Sequence, residues 1–154
     1  MMSLIVCIDA SLALKLVLDE SDSDFVRLLW ADWAKQQATL VAPMLWGYEV
    51  TSVIRNRTHR GKHPPELESQ TVAALHQLPV QLLQPTGLFQ RAWELAHEFD
   101  RSAAYDSHYL ALAEILDCPL WTADKRLYNV VQPQLNWVHW LGNYQPIDDD
   151  FLET

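Results

Sequence analysis

The sequence predicts an α/β protein in which a mostly parallel sheet of about five strands is covered by helices on both faces. Short apolar segments alternate along the chain with longer segments of helical periodicity, and this alternation is typical of parallel sheets. The first apolar segment, residues 4–8, is apolar at every position and rich in β-branched side chains, as expected of a strand buried on both faces. The chain has 154 residues, which is enough for one domain with a substantial core.

Five short apolar segments are predicted to be strands, and seven longer periodic segments are predicted to be helices. The strands span residues 4–8, 39–42, 80–83, 120–122 and 137–140. The helices span residues 12–18, a segment from after residue 24 to about residue 37, and residues 44–59, 66–78, 88–99, 103–116 and 125–129.

Residues that commonly begin or end helices mark several of these boundaries. Asp9 and Ser11 precede the first helix, and both types are favoured at a helix N-terminus. Pro43 suits the first turn of the third helix, because its missing N–H is not needed there. Gly61 and Pro64 predict where that helix ends.

The composition indicates a globular protein. We expect one domain over residues 1–142, followed by an acidic tail over residues 143–154. Hydrophobic residues make up 49% of the chain and charged residues 20%, and no apolar stretch approaches the roughly 20 residues that a membrane helix needs. The apolar N-terminus lacks the basic residues of a secretory signal. These features predict a soluble, cytoplasmic protein with no membrane contact.

The cysteines, the histidines and the net charge limit the kinds of bond, metal site and ligand that we expect. Cys7 and Cys118 lie in or beside apolar segments, so both are expected to be small buried side chains without a disulfide. The six histidines show no zinc-ligand spacing with either cysteine. The net charge of -9 opposes tight, unaided binding to nucleic acid, since such binding needs Lys and Arg at the contact.

Two aspartates, Asp9 and Asp124, directly follow predicted strands. Parallel sheets bind their ligands at the carboxyl ends of the strands, so both carboxylates are candidate site residues. Taken singly, each aspartate is more readily explained as the N-cap of the helix that follows it.

Two further acids, Glu49 and Asp106, are predicted on helices. Glu49 has Leu45 and Val53 four residues away on either side, which places it on an apolar face where an unpartnered carboxylate is costly. Asp106 lies in a first helical turn, where the helix dipole alone explains an acid. The apolar residues four and seven positions later nevertheless turn it inward.

A shared metal ion accounts for all four acids together. Converging carboxylates repel one another and lose hydration, so they persist only if they are protonated, hydrogen-bonded or neutralised by a cation. Oxygen ligands of this kind suit a hard divalent cation. Ser11 and Thr122 each lie two residues from an aspartate and are candidate supporting groups for the carboxylates or for bound water. Helix capping and strand polarity explain these two residues about equally well.

A short basic segment near the end of the third predicted helix is a candidate for contact with phosphate. It holds four of the 11 Lys and Arg residues of the chain, namely Arg55, Arg57, Arg60 and Lys62. A solvated helix end is the simpler explanation for such a run taken alone. The functional interpretation is an edge that steers flanking nucleotides.

Four motifs occur along the chain in a fairly specific order and spacing. They are Ile8-Asp9-Ala10-Ser11, Glu49 in the helix after Ala42-Pro43, Ala104-Tyr105-Asp106-Ser107-His108-Tyr109-Leu110-Ala111-Leu112-Ala113, and Leu120-Trp121-Thr122-Ala123-Asp124. In these motifs, of which the third is the most diagnostic, the chain resembles the PIN-domain ribonucleases, and especially the VapC-like toxins of bacterial and archaeal toxin-antitoxin pairs. The resemblance spans nearly the whole chain.

The resemblance implies a three-layer α/β/α sandwich and a Mg²⁺- or Mn²⁺-dependent endoribonuclease in which Asp9, Glu49, Asp106 and Asp124 bind metal or act in catalysis. In the reaction we expect, one or two cations bind a phosphate oxygen and lower the pKa of an attacking water. The resemblance also implies a homodimer and a cognate antitoxin whose segment enters the active-site groove. The tail beyond Trp140 matches no family feature.

Two other functions remain open. One is a protein-binding module with an unused metal site, to which the aromatic cluster around Trp30 and Trp33 would contribute as core or dimer contact rather than as a nucleobase platform. The other is a phosphatase with Asp9 as nucleophile. The usual phosphatase signature has a second aspartate where this chain has Ser11, so the nuclease is favoured.

Overall fold

The structure, a computed structural model, describes residues 3–146 and contains a five-stranded sheet in which all neighbouring strands are parallel. The strands are β1 (Ile5–Ile8), β2 (Thr39–Pro43), β3 (Val80–Leu83), β4 (Leu120–Thr122) and β5 (Val138–Trp140). Their order across the sheet is β3-β2-β1-β4-β5, so β1 and β4 are neighbours although most of the chain separates them.

Helices cover the sheet as two layers. The helices are α1 (Ala10–Val17), α2 (Ser23–Lys35), α3 (Leu45–His59), α4 (Glu68–His76), α5 (Leu88–Glu98), α6 (Tyr105–Leu116) and α7 (Lys125–Val131). Helix α1 contacts α2, α3 and α4, whereas α5 packs on α6 and α6 packs on β1, β2 and β4. Right-handed connections explain this division, because the chain moves outward from β1 to β3 and then returns to β4 over the opposite face. The predicted three-layer fold with about five strands is confirmed.

The centre of the core is β1. Val6, Cys7 and Ile8 are at most 1% exposed, as expected for a parallel strand covered on both faces. Cys7 and Cys118 are buried and form no disulfide, as predicted.

Several helix boundaries differ from the prediction, for example at the start of α1 and the end of α7, and proline explains two of the differences. Pro43 is the last residue of β2, in register with Leu83, and α3 begins at Leu45 rather than at residue 44. The predicted helix over residues 66–78 is divided into a 3-10 turn, Pro65–Leu67, and α4. Proline fixes its own φ and disfavours the helical conformation in the residue before it, which delays the start of α4.

The tryptophans belong mainly to the core and its margin. Trp33 is buried, and its ring lies 5.5 Å from that of Trp30 and 6.2 Å from that of Trp121. Tyr144 packs edge-on against Trp121 and donates a short hydrogen bond to Asp32. This cluster agrees with the predicted core role of the aromatic residues.

The boundary predicted at residue 142 stays a prediction, and most of the predicted acidic tail, residues 147–154, lies outside the described residues. Within residues 3–146, no helix is long and apolar enough to cross a membrane.

Candidate active site

Asp9 and Asp124 lie at the same edge of the sheet because β1 and β4 are neighbouring parallel strands. The register aligns Ile8 of β1 with Trp121 of β4. The backbone N–H of Asp9 donates to the Trp121 carbonyl, with an N···O distance of 3.3 Å. The carboxyl edge of the sheet therefore carries both strand-end aspartates, as predicted.

Asp9 is the N-cap of α1 and accepts three hydrogen bonds. Its Oδ1 accepts from the Leu12 N–H at 3.0 Å and from the Ser11 hydroxyl at 2.7 Å, and its Oδ2 accepts a short bond from the Thr122 hydroxyl. Burial nevertheless raises the pKa of Asp9 from 3.8 to about 6, with a further small increase from the charge of Asp106. A carboxylate that resists ionisation despite three donors favours a cation as neighbour.

Ser11 and Thr122 join the β1–α1 turn to the β4–α7 turn. Ser11 Oγ donates to Asp9 and accepts from the Ala123 N–H at 3.1 Å. Thr122 Oγ1 donates to Asp9 and accepts from the Asp124 N–H at 2.9 Å. Both candidate supporting residues thus contact Asp9, and Thr122 links it to the second strand-end aspartate.

Asp124 is the N-cap of α7. Its Oδ1 accepts from the N–H groups of Arg126 and Leu127, at 3.0 Å and 3.2 Å. Both bonds use the same oxygen, which leaves Oδ2 for another partner. The helix-cap explanation is therefore correct for Asp9 and Asp124, and it is compatible with a second role for each carboxylate.

Glu49 projects from α3 without any capping role. Its Oε1 is buried and has no hydrogen-bond partner within residues 3–146. Burial, followed by the charges of Asp106 and Asp9, raises the pKa of Glu49 from 4.5 to about 7. The nearby Tyr109 hydroxyl lowers the pKa of Glu49 slightly. The Tyr109 hydroxyl oxygen, like Glu49 Oε1, has no well-formed hydrogen bond among the described residues. Burying a carboxyl oxygen without a hydrogen-bond donor lowers the stability of the folded protein unless a ligand contacts that oxygen.

Asp106 lies in the first turn of α6, on the other side of the sheet from α3. Burial and then the charge of Asp124 raise its pKa, while Arg101 lowers it. Arg101 Nη2 lies 3.6 Å from Asp106 Oδ2, an ion pair too long for a hydrogen bond.

The four acids share one electrostatic environment. The charge of Asp106 raises the pKa of Asp9 and of Glu49, and the charge of Asp124 raises that of Asp106. Repulsion of this kind indicates that the protein donors do not fully neutralise the negative charge around these residues.

Oxygen donors and excess negative charge are what a hard divalent cation requires, so these residues fit Mg²⁺ or Mn²⁺. Within the described part of the chain, however, no three acidic, histidine or cysteine side chains are already arranged to hold a metal ion. Binding would therefore involve side-chain movement, or water between some carboxylates and the cation.

Two of the four residues of the basic segment form ion pairs within the protein. Arg55 Nη1 contacts both carboxylate oxygens of Glu68, at 2.9 Å and 3.0 Å, and Arg57 Nη2 lies 3.1 Å from Glu20 Oε1. Arg60 and Lys62 are exposed and make no ion pair within residues 3–146. The predicted role in RNA steering stays a prediction, and these exposed cations are its better candidates.

Arg101 and Tyr109 were not predicted as site residues from the sequence. Arg101 had one available signal, since it is the only Lys or Arg between Arg91 and Lys125 and precedes Asp106 by five residues. Tyr109 had none, because a buried tyrosine three residues after Asp106 is typical of an ordinary helix face.

Comparison with known proteins shows the family to which this chain belongs. The family model described as PIN domain matches residues 6–132. Ribonuclease VapC9 of Mycobacterium tuberculosis (strain H37Rv) and VapC ribonuclease Mb0985 of Mycobacterium bovis are each 32% identical to this chain over 129 residues, which cover 84% of this chain and 93% of each relative.

Solved structures show the same fold. The crystal structure of PAE2754 from Pyrobaculum aerophilum aligns with a TM-score of 0.60 and 19% identity, covering 84% of this chain and 86% of that chain. The crystal structure of VapC20 from M. tuberculosis, a sarcin-ricin loop cleaving toxin, also aligns with a TM-score of 0.60, at 15% identity, covering 80% and 93% of the two chains. The chain belongs to the PIN domain family and is a VapC-like member of it, as the four motifs predicted.

Proposed function

We propose that this protein is an endoribonuclease of the VapC type, the toxin of a toxin-antitoxin pair, and that it hydrolyses RNA phosphodiester bonds with the help of Mg²⁺ or Mn²⁺. The observation that carries the metal requirement is the buried, unpartnered Oε1 of Glu49 among three further acids. The similarity to VapC ribonucleases over 84% of the chain supports the activity and the substrate class.

Each acid has a role in this proposal. Asp9, Asp106 and Asp124 would hold the cation, Asp9 and Asp124 while also capping helices and Asp106 from the opposite layer. The bound cation supplies charge neutralisation for the phosphodiester and lowers the pKa of water. Glu49 lies adjacent, and its unpartnered Oε1 is suited to accept a proton from the attacking water.

Ser11 and Thr122 would keep Asp9 ionised and correctly oriented. Their hydrogen bonds lower the pKa of Asp9 against the effect of burial. They also fix the distance between the two turns that carry the strand-end aspartates.

Cleavage of short single-stranded RNAs with Mg²⁺, with Mn²⁺ and with a chelator tests the activity. We expect cleavage with either cation, none with the chelator, and a loss of about 10³-fold or more in Asp106→Asn. Asp19→Asn is the matched control, because the Asp19 side chain is 95% exposed. Cleavage in the chelator would contradict the metal requirement, and full activity of Asp106→Asn would contradict the site.

Calorimetric titration with Mn²⁺ separates the enzyme from the protein-binding module. We expect binding by the unaltered protein and weakened binding by Asp106→Asn. A protein that neither binds Mn²⁺ nor cleaves RNA would favour the module. Hydrolysis of a small phosphomonoester without RNA cleavage would favour the phosphatase.

The proposed homodimer has a candidate surface, the aromatic surface formed by Met44 and Tyr48 at the start of α3 and by Phe89 and Trp93 on α5. Tyr48, Phe89 and Trp93 are 70%, 64% and 60% exposed. Met44, Tyr48 and Phe89 line one groove, and Trp93 follows Phe89 by one helical turn on α5. Exposed side chains grouped in this way are typical of association surfaces. A second copy would bury them, consistent with the dimer implied by the family resemblance.

Light scattering after size-exclusion chromatography tests the dimer. We expect Phe89→Ser to shift the protein from dimer to monomer. Phe25→Ser is the control, because Phe25 is also an exposed phenylalanine but lies on α2, away from the aromatic surface. A dimer that survives Phe89→Ser but not Phe25→Ser would place the interface on α2.

The proposed antitoxin would present basic side chains to the four acids, since a Lys or Arg can replace the cation there. Co-expression with the product of a small adjacent reading frame, followed by purification, tests this partner. We expect a stable complex that inhibits cleavage, and we expect the protein to act in the cytoplasm, where its RNA substrate is found. Failure of every neighbouring product to bind would contradict the toxin role.

RNA steering by the basic segment predicts a smaller effect. The double variant Arg60→Ala, Lys62→Ala should weaken RNA binding several-fold and lower its dependence on salt. Arg55→Ala should have less effect, because Arg55 already pairs with Glu68.

A further inference from the structure

Arg101 is the one basic side chain that the structure pairs with any of the four acids among residues 3–146. A guanidinium at this position repels a divalent cation bound to Asp106. A residue that opposes the cation in this way would be unfavourable for the site unless it had a separate role there.

The backbone holds Arg101 in a fixed position. Helix α5 ends in a Schellman motif, in which the Arg101 N–H donates to the Ala96 carbonyl at 2.7 Å and the Asp100 N–H donates to the His97 carbonyl at 3.1 Å. Asp100 adopts the left-handed conformation that this motif requires, with φ 51°. The guanidinium therefore extends from a well-defined Cα position toward Asp106.

A hollow of about 390 Å³ lies beside this ion pair, lined by residues 100–103, Tyr105 and Asp106. It adjoins the first turn of α6, where the N-cap residue Ala104 has no side chain that can cap the free N–H groups. Helix N-termini of this kind favour anions. The hollow thus combines space, a guanidinium and the positive end of a 12-residue helix, and the carboxylates of Asp100 and Asp106 also line it.

We propose that Arg101 binds a nonbridging oxygen of the RNA phosphate adjoining the scissile one, in this hollow. The proposal rests on the proposed function, because it takes the four acids as the catalytic site. When a cation neutralises Asp106, the guanidinium loses its anionic partner, and the phosphate replaces it. Arginine suits this exchange because its planar N–H groups can contact two phosphate oxygens at once.

The alternative is that Arg101 has only a structural role, in which its ion pair with Asp106 joins the end of α5 to α6. Arg91 provides the matched comparison, because it also extends from α5 to an acid on α6, with Nε 2.6 Å from Glu114 Oε1. The two side chains are similarly exposed, 28% for Arg101 and 31% for Arg91. The contact of Arg101 is 3.6 Å and makes no hydrogen bond, so it is the more easily exchanged.

Single-turnover cleavage of a short single-stranded RNA with Mg²⁺ tests the phosphate contact. We expect Arg101→Ala to raise the half-saturating enzyme concentration about tenfold while the maximal rate changes less than about threefold. The slope of log affinity against log salt should fall by about 0.7, the value for one phosphate contact on a single strand. Arg101→Lys should restore the slope but only part of the affinity.

Calorimetric titration with Mn²⁺ in the absence of RNA gives a readout independent of cleavage. Arg101→Ala should bind Mn²⁺ several-fold more tightly, because a positive charge beside Asp106 has been removed. A purely structural role would weaken both metal and RNA binding. Arg91→Ala should leave the half-saturating concentration, the salt slope and the Mn²⁺ affinity unchanged, and circular dichroism should confirm that both variants fold.

Three results would overturn the proposal: an unchanged salt slope in Arg101→Ala, metal and RNA binding that weaken together in that variant, or the same RNA defect in Arg91→Ala. Failure of the proposed function has a different signature. In that case the unaltered protein cleaves no RNA, or Asp106→Asn cleaves it normally.

Discussion

The four acids divide into two pairs that the protein holds in different ways. The strand-end pair, Asp9 and Asp124, caps α1 and α7, and its carboxylates together accept five hydrogen bonds from the protein. The helix pair, Glu49 and Asp106, caps nothing. Glu49 Oε1 has no partner among the described residues, and Asp106 has only the long ion pair with Arg101.

The acids are therefore not equally informative about function. A strand-end aspartate stabilises the fold, so its presence does not by itself require a ligand. Asp106 lies where the helix dipole favours an acid, but Glu49 has no such structural benefit, and its pKa, raised to about 7, reflects an energetic cost to the metal-free protein. Glu49 is therefore the strongest single indication of a bound cation, although the strand-end pair is easier to recognise in the sequence.

The first prediction, for which we expect the greatest change, tests whether Asp9 of the strand-end pair both caps a helix and takes part in cleavage. Asp9→Asn should reduce cleavage about 10³-fold or more while leaving the stability of the metal-free protein unchanged or raised, because asparagine can still cap α1. Asp9→Ala should lose the same activity and also about 1–2 kcal/mol of stability. Urea denaturation and RNA cleavage measure the two effects. Equal stability of the two variants would show that the cap contributes little.

The second prediction concerns the helix pair alone. Glu49→Gln should stabilise the metal-free protein by about 1 kcal/mol at about pH 8, since it removes a buried charge, while cleavage falls at least about 10²-fold. Urea denaturation without metal and with Mn²⁺ measures this, and the stabilisation should disappear when Mn²⁺ is present. A Glu49→Gln variant that is clearly less stable without metal would mean that Glu49 has a structural partner after all.

The third prediction uses pH to compare the pairs. Asp9 and Glu49 have folded-state pKa values of about 6 and 7, above the ordinary values of 3.8 and 4.5. The folded protein therefore binds more protons than the unfolded chain between about pH 4 and about pH 7, and the free energy of unfolding decreases as pH rises over that interval. Thermal melts of the metal-free protein should show a falling Tm over this interval.

Two variants sharpen that measurement. Glu49→Gln should flatten the decrease of Tm with pH, whereas Asp19→Asn should not, because Asp19 is exposed. Added Mn²⁺ should raise Tm more at about pH 8 than at about pH 5, since protons compete with the cation for the carboxylates. A Tm that is constant with pH would contradict the raised pKa values.

The fourth prediction, for which we expect the least change in metal binding, concerns the two hydroxyls that donate hydrogen bonds to Asp9. Thr122→Val removes a donor to Oδ2 and Ser11→Ala removes a donor to Oδ1. Each should raise the pKa of Asp9 further and weaken Mn²⁺ binding several-fold at about pH 6, with a smaller loss at about pH 8. Calorimetry at both pH values measures this. Equal losses at the two pH values would indicate an effect on geometry instead of ionisation.

The sequence was sufficient for the fold because its signals are local. The continuous apolar segment of β1 predicted a strand buried on both faces, and Asp9 and Asp124 predicted helix starts. The order of strands and helices then required a parallel sheet. Boundaries near Pro43 and Pro65 were less well predicted, because pairing of β2 with β3 extends the strand through a residue that would also suit a helix start.

For the candidate site, local patterns in the chain were enough to predict the four acids, the two hydroxyl residues and their positions at strand ends and on helices. Which carboxylate oxygens accept hydrogen bonds from the protein, and which do not, depends on how the elements pack in three dimensions. Hydrogen bonding to Asp9 depends on Thr122, which lies 113 residues away in the chain, and the cost at Glu49 depends on burial and on charges from other elements. Local sequence patterns specify side-chain direction along an element, whereas burial and electrostatic repulsion arise only when separate elements pack together.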